Sequence, residues 1–87
     1  MHICSRQCRA ARALLGWSQA EIASAAKVHK RTVMEFENGT RRPHLGTLSL
    51  LKSAFETAGV EFIDRESGKG PGVRLREADR RTHVSRR

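Results

Sequence analysis

Lys30, Arg31, Thr32 and Glu35 are the side chains whose types and spacing point most directly to chemistry. On a helix spanning 30–38 they face outward together, while Val33 and Phe36 turn inward. An arginine bridges O6 and N7 of guanine, a threonine meets the methyl of thymine, and a glutamate accepts from the amino group of cytosine. Glu35 is equally placed to orient Arg31, four residues before it. A helix that is apolar inside and basic at its exposed opening turn suits a DNA major groove. His29 stands at the start of this helix. Arg41 and Arg42 follow it in a polar loop that Pro43 keeps from becoming helical. The two cations are suited to phosphate contact, and a solvated loop is the simpler alternative.

Other chemistries find less support. No acid is paired with a base, no nucleophile has an adjacent histidine, and no metal constellation is present, so an enzyme is not expected. Cys4 and Cys8 lie four apart, a poor geometry for an internal disulfide. With His2 they suggest a metal site only weakly, because no second ligand pair follows. Two reduced thiols, no metal and no cofactor are expected. The Gly-rich run from Gly68 to Gly72 lacks the GxxxxGK[ST] pattern and a following helix, so it does not read as a phosphate loop.

The reading helix needs elements to hold it. Ser18 is a good N-cap, and Glu21 three residues on completes a capping box for a helix over 18–26. Ile22, Ala23 and Ala26 form its inner face, and small Ala23 permits a close helix–helix approach. Val28 is the apolar residue of the turn that follows, and Gly39 suits a left-handed cap after the helix at 30–38. Upstream, 5–15 reads as a helix capped by Ser5, with Cys8, Ala11, Leu14 and Leu15 as its apolar stripe and Arg6, Arg9 and Arg12 pointing elsewhere. Met1 to Ser5 reads as a lead-in that frays. Gly16 ends that helix, and Trp17 packs ahead of the Ser18 cap. A fourth helix covers 45–58, capped by His44 or Thr47, with Leu45, Leu48, Leu51, Ala54 and Phe55 inward and Gly59 closing it.

The remainder changes period. Val60 and Phe62 alternate with Glu61, and Val73 and Leu75 alternate with Arg74 and Arg76. That predicts strands at 60–63 and 73–76 joined by a Gly- and Pro-containing loop. A lone two-stranded hairpin is marginal and must lie on helices or on a second copy.

The combination of Gly16, Ser18-Gln19, Glu21, Ala23, Val28, Val33 and Glu37-Asn38-Gly39, with Arg12 ahead and Pro43 behind, resembles the Cro and phage-repressor type of helix-turn-helix, the xenobiotic-response-element family. The resemblance covers roughly 8–59. It implies a mainly α fold, a four-helix Cro/repressor-like helix-turn-helix domain, here followed by a short C-terminal two-stranded β-hairpin where many relatives have a fifth helix. It implies a sequence-specific regulator of transcription, such as a repressor, that contacts double-stranded DNA through Ser18, Gln19, His29, Lys30, Arg31, Thr32, Glu35, Asn38, Arg41 and Arg42. It also implies that Arg12 pairs with Glu37 as a brace, and that Gln19 touches a base edge or steadies the reading helix. His29 stands where the family usually has Ser or Thr.

The 87 residues make one small domain, with 17 Lys and Arg against 9 Asp and Glu, a net +8. Such a balance favours a polyanionic partner, nucleic acid before anionic membrane. Residues 74–87 hold six Arg against Glu77 and Asp79, so half of the excess lies at the C-terminal end. The expected organisation is a DNA-binding domain at 1–59, a hairpin at 60–76 and a basic disordered tail at 77–87. No apolar run reaches the roughly 20 residues of a membrane span. A cytoplasmic, nucleoid-associated protein of bacterial or phage origin is expected, with no membrane partner. A homodimer is expected through Val60, Phe62, Ile63, Val73 and Leu75, because one helix reads few base pairs and a bare strand edge invites pairing. The alternative function is a protein-binding module with the same fold, such as an antitoxin that binds a toxin.

Overall fold

In the computed structural model, which describes residues 1–77, the chain runs α1 (Ser5–Leu15), α2 (Gln19–Ala26), α3 (Lys30–Asn38), α4 (Leu45–Thr57), β1 (Val60–Ile63) and β2 (Gly72–Leu75). The expected fold class, four helices and then a two-stranded hairpin, is what the chain adopts. Of the tail expected at 77–87, residues 78–87 lie outside the described residues. No described helix is long and apolar enough to cross a membrane.

The helix ends follow local chemistry. Ser18 Oγ accepts from the Glu21 amide at 3.1 Å, and Glu21 returns the bond to the Ser18 amide at 2.7 Å. At Gly16 and Gly39 the backbone turns left-handed, and the next amide reaches back five residues: Trp17 to the Arg12 carbonyl, Thr40 to that of Glu35. Lys27 takes the same left-handed turn after α2, at φ 60°, without a glycine. Its neighbour Val28 bonds the Ala23 carbonyl at 2.9 Å and packs against the core, which supports the conformation.

The core joins all four helices and the hairpin through Cys8, Ile22, Val33, Leu51, Phe55 and Val60, among others. Trp17 stacks on Phe55 with centroids 6.1 Å apart, and Phe62 meets Phe55 edge-on at 6.0 Å. One aromatic line therefore runs from the α1–α2 junction to β1.

Several expectations are corrected here. The N-cap of α1 is Cys4 and not Ser5. Residues 1–5 are not a fraying lead-in, since Ile3 is 1% exposed and belongs to the core. Leu14 and Leu45, assigned to inward stripes, are exposed, because each sits at the edge of the buried arc of its helix. The fourth helix ends at Thr57 and the second strand starts at Gly72, which pairs with Ile63.

The hairpin lies on α1 and α4 of its own chain. Buried Gln7 secures it: its side-chain nitrogen donates to the carbonyls of Ile63 at 3.3 Å and Gly72 at 3.0 Å, the last pair of the ladder. The Gln7 side-chain oxygen accepts from the Cys4 amide at 3.0 Å. At the other end, the Arg76 amide bonds the Gly59 carbonyl and its guanidinium bonds the Glu56 carbonyl at the close of α4. Val60 is consequently 0% exposed within one copy and is not available to a second. Phe62, Val73 and Leu75 are half-buried against the same core, and Ile63 alone of the five proposed interface residues is exposed.

Candidate nucleic-acid interface

The attitude of α3 is set by one buried carboxylate. Glu37, 4% exposed, sits in the last turn of α3. Arg12 of α1 donates to it twice, Nε to Oε2 at 2.8 Å and Nη2 to Oε1 at 2.7 Å. Gln19 of α2 donates to Oε1 at 3.0 Å, and the Cys8 thiol donates to Oε2 at 3.2 Å. Three helices therefore meet on one side chain. Arg9 donates to the Glu37 carbonyl, covering a helix-end group that would otherwise lack a partner. Arg12 also reaches the Trp17 carbonyl at 3.1 Å.

The electrostatics fit this geometry. Burial acts to raise the Glu37 pKa, but the bonds from Arg12, Gln19 and Cys8 and the Arg12 charge outweigh it and hold the carboxyl below its ordinary value. Its hydrogen bond to Glu37 raises Arg12 in turn. Burial, with the neighbouring carboxylate, pushes the Cys8 thiol far up, so it remains a neutral donor.

With its inner face locked, α3 turns Lys30, Arg31, Met34 and Asn38 to solvent, with Thr32 and Glu35 half-buried beside them. Arg31 Nε lies 3.5 Å from Glu35 Oε2, so the orienting role open to Glu35 has a geometric basis. The strip is flanked on both sides. One shallow hollow is lined by Arg9, Arg12, Gln19, Met34, Glu37 and Asn38. Another is lined by Thr32, Glu35, Arg41, Arg42, Pro43, His44 and Thr47.

Residues 9–62 match the protein-family model described as Helix-turn-helix, of the Cro/C1 type. The chain belongs to the Cro/C1-type helix-turn-helix family. A search of curated proteins returns no match. Family membership makes this a DNA-binding domain, with α2 and α3 inside the matched residues.

The residues expected at the interface occupy varied places. Lys30, Arg31, Asn38, Arg41 and Arg42 are exposed along α3 and the loop after it. The Asn38 side-chain oxygen accepts from the Thr40 amide and hydroxyl at 2.9 and 2.7 Å, which leaves its NH₂ with no hydrogen-bond partner among the described residues. His29 is the exposed N-cap of α3 and makes no side-chain cap bond. The Ser18 hydroxyl accepts from the α2 amide it caps. The Gln19 nitrogen is committed to Glu37.

The spacing places Cys8 in the apolar stripe of α1 but gives no sign of its bond to Glu37, and Met34 is not among the expected site residues although it lies exposed on α3. Arg9, expected to point away from that stripe, follows Arg12 onto α3. The signal was there: Cys8 and Arg9 precede Arg12 by four and three positions, which places all three on one side of α1.

Proposed function

We propose that this chain is a sequence-specific regulator of transcription that reads an inverted-repeat operator as a homodimer. The observation that supports it best is the exposed strip of α3, held by Glu37 and flanked on both sides by arginines. A major groove is bordered by two phosphate backbones, so a reading strip between two cationic margins suits it. On this reading Arg31 and Lys30 address base edges, with Thr32 and Glu35 beside them. Arg41 and Arg42 meet one backbone, while the Ser18 hydroxyl and the Gln19 backbone amide, at the open end of α2, meet the other.

One recognition helix spans few base pairs. Two copies about 34 Å apart, one helical turn of DNA, would match an inverted repeat. Residues 1–59 form the DNA-binding part of this arrangement, and 60–76 join the copies. Because Val60 is consumed by its own core, the contact rests on exposed Ile63, on what remains uncovered of Phe62, Val73 and Leu75, and on strand edges that pair with no further strand among the described residues.

Selection from a random duplex library, followed by sedimentation at micromolar concentration, tests the proposal. An enriched inverted repeat bound by a dimer is expected. Enrichment of an isolated half-site by a monomer removes the dimer. A library that enriches no sequence removes the regulator reading and leaves a protein-binding module.

A further inference from the structure

A single exposed methionine needs no special explanation, but the position of Met34 does. Val33 and Phe36 carry the packing of α3 at 0% and 5% exposure, whereas Met34 is 43% exposed. It stands between Lys30 and Asn38 at four-residue spacing, in a strip where every other exposed side chain is polar or charged. Across the hollow it faces Arg9, Arg12 and Gln19. An apolar protein partner seated there would bury the Arg9 guanidinium, which has no carboxylate partner among the described residues, and that is costly. A duplex meets it with a phosphate and offers one apolar landmark in its major groove, the C5-methyl of thymine. A methionine suits that landmark, because its unbranched, polarisable side chain adapts to the surface it meets.

We propose that Met34 is a specificity-determining residue that packs on a thymine methyl in the half-site, an inference resting on the reading of a duplex by α3. Met34 lies three residues beyond Arg31, about 4.5 Å along the helix axis. The thymine is therefore within one or two base pairs of the base that Arg31 addresses.

The test begins with the duplex selected by the full chain, in which each thymine is replaced in turn by deoxyuridine. Affinities are measured for the wild type, Met34→Ala, Met34→Leu and Arg31→Ala. At one position, loss of the methyl should weaken the wild type about fourfold, the worth of one methyl group withdrawn from water. Met34→Leu and Arg31→Ala should keep that sensitivity, and Met34→Ala should lose it. No sensitive thymine, or equal sensitivity in wild type and Met34→Ala at every position, overturns the proposal while leaving the DNA-reading function intact. Failure to select any sequence overturns both.

Discussion

The Glu37 carboxylate and the Arg12 guanidinium face one another through two hydrogen bonds, 2.7 and 2.8 Å, across 25 positions of sequence. The pair is asymmetric in exposure: the Arg12 side chain is 21% exposed, that of Glu37 only 3%. Removing either partner therefore has different consequences. Arg12→Ala strands a buried carboxylate and should cost about 3 kcal/mol of stability. Glu37→Ala leaves an arginine that can turn to water, and should cost roughly 2 kcal/mol. The double variant should lose less than the sum, as denaturant melts of the four proteins would measure. Additive losses would mean that the two side chains are not coupled.

The same carboxylate makes stability depend on acid. Its folded pKa lies below the ordinary 4.5, so the unfolded chain binds a proton more readily. The Glu37 contribution is thus complete above about pH 4.5 and is lost as pH falls through the folded value. Glu37→Gln should be less stable than wild type at pH 7, and the gap should narrow as pH is lowered. Melting curves between neutral and acid pH provide the comparison; a gap that widens in acid contradicts the assignment.

The two thiols should differ in reactivity. Cys4 is exposed, whereas Cys8 is buried and held neutral by burial and by Glu37. A thiol reagent requires access and a thiolate. One equivalent should react in the native protein and a second only in denaturant. Rapid native modification of Cys8, read by peptide mass, would show that its pocket opens.

Gln7 should hold the hairpin. Gln7→Ala leaves the carbonyls of Ile63 and Gly72 without this donor and should cost about 1–3 kcal/mol. Gln7→Leu preserves apolar volume and should cost similarly if hydrogen bonding is the cause. Amide exchange should accelerate over Val60–Ile63 and Gly72–Leu75 more than in α2 or α3. Uniform acceleration would assign Gln7 to global stability alone.

Base and backbone contacts should separate by salt. Arg31→Ala should cost about 1–3 kcal/mol on the best site and relax preference at one base position. Arg41→Ala or Arg42→Ala should weaken all sequences alike and lower the salt slope by about one. Titrations at several salt concentrations distinguish them. Unchanged site preference in Arg31→Ala would exclude Arg31 as a base reader.

What the sequence by itself determined is local. The Ser18–Glu21 cap, the left-handed stops at Gly16 and Gly39 and the apolar spacing of each helix depend on atoms within about five residues of one another, so residue types in order are enough to read them. The switch to period-two alternation after Gly59 announced the hairpin for the same reason. Tertiary structure decided which groups those elements share. Ile3 enters the core, and Gln7 finds carbonyls 56 and 65 positions away. The Cys8 thiol meets a carboxylate 29 positions on, and Val60 is covered by its own chain rather than left for another. A buried polar group must be satisfied wherever the fold places its nearest donor or acceptor, and an apolar side chain is hidden or offered according to what packs across from it. Neither distance is written in the spacing of residues along the chain.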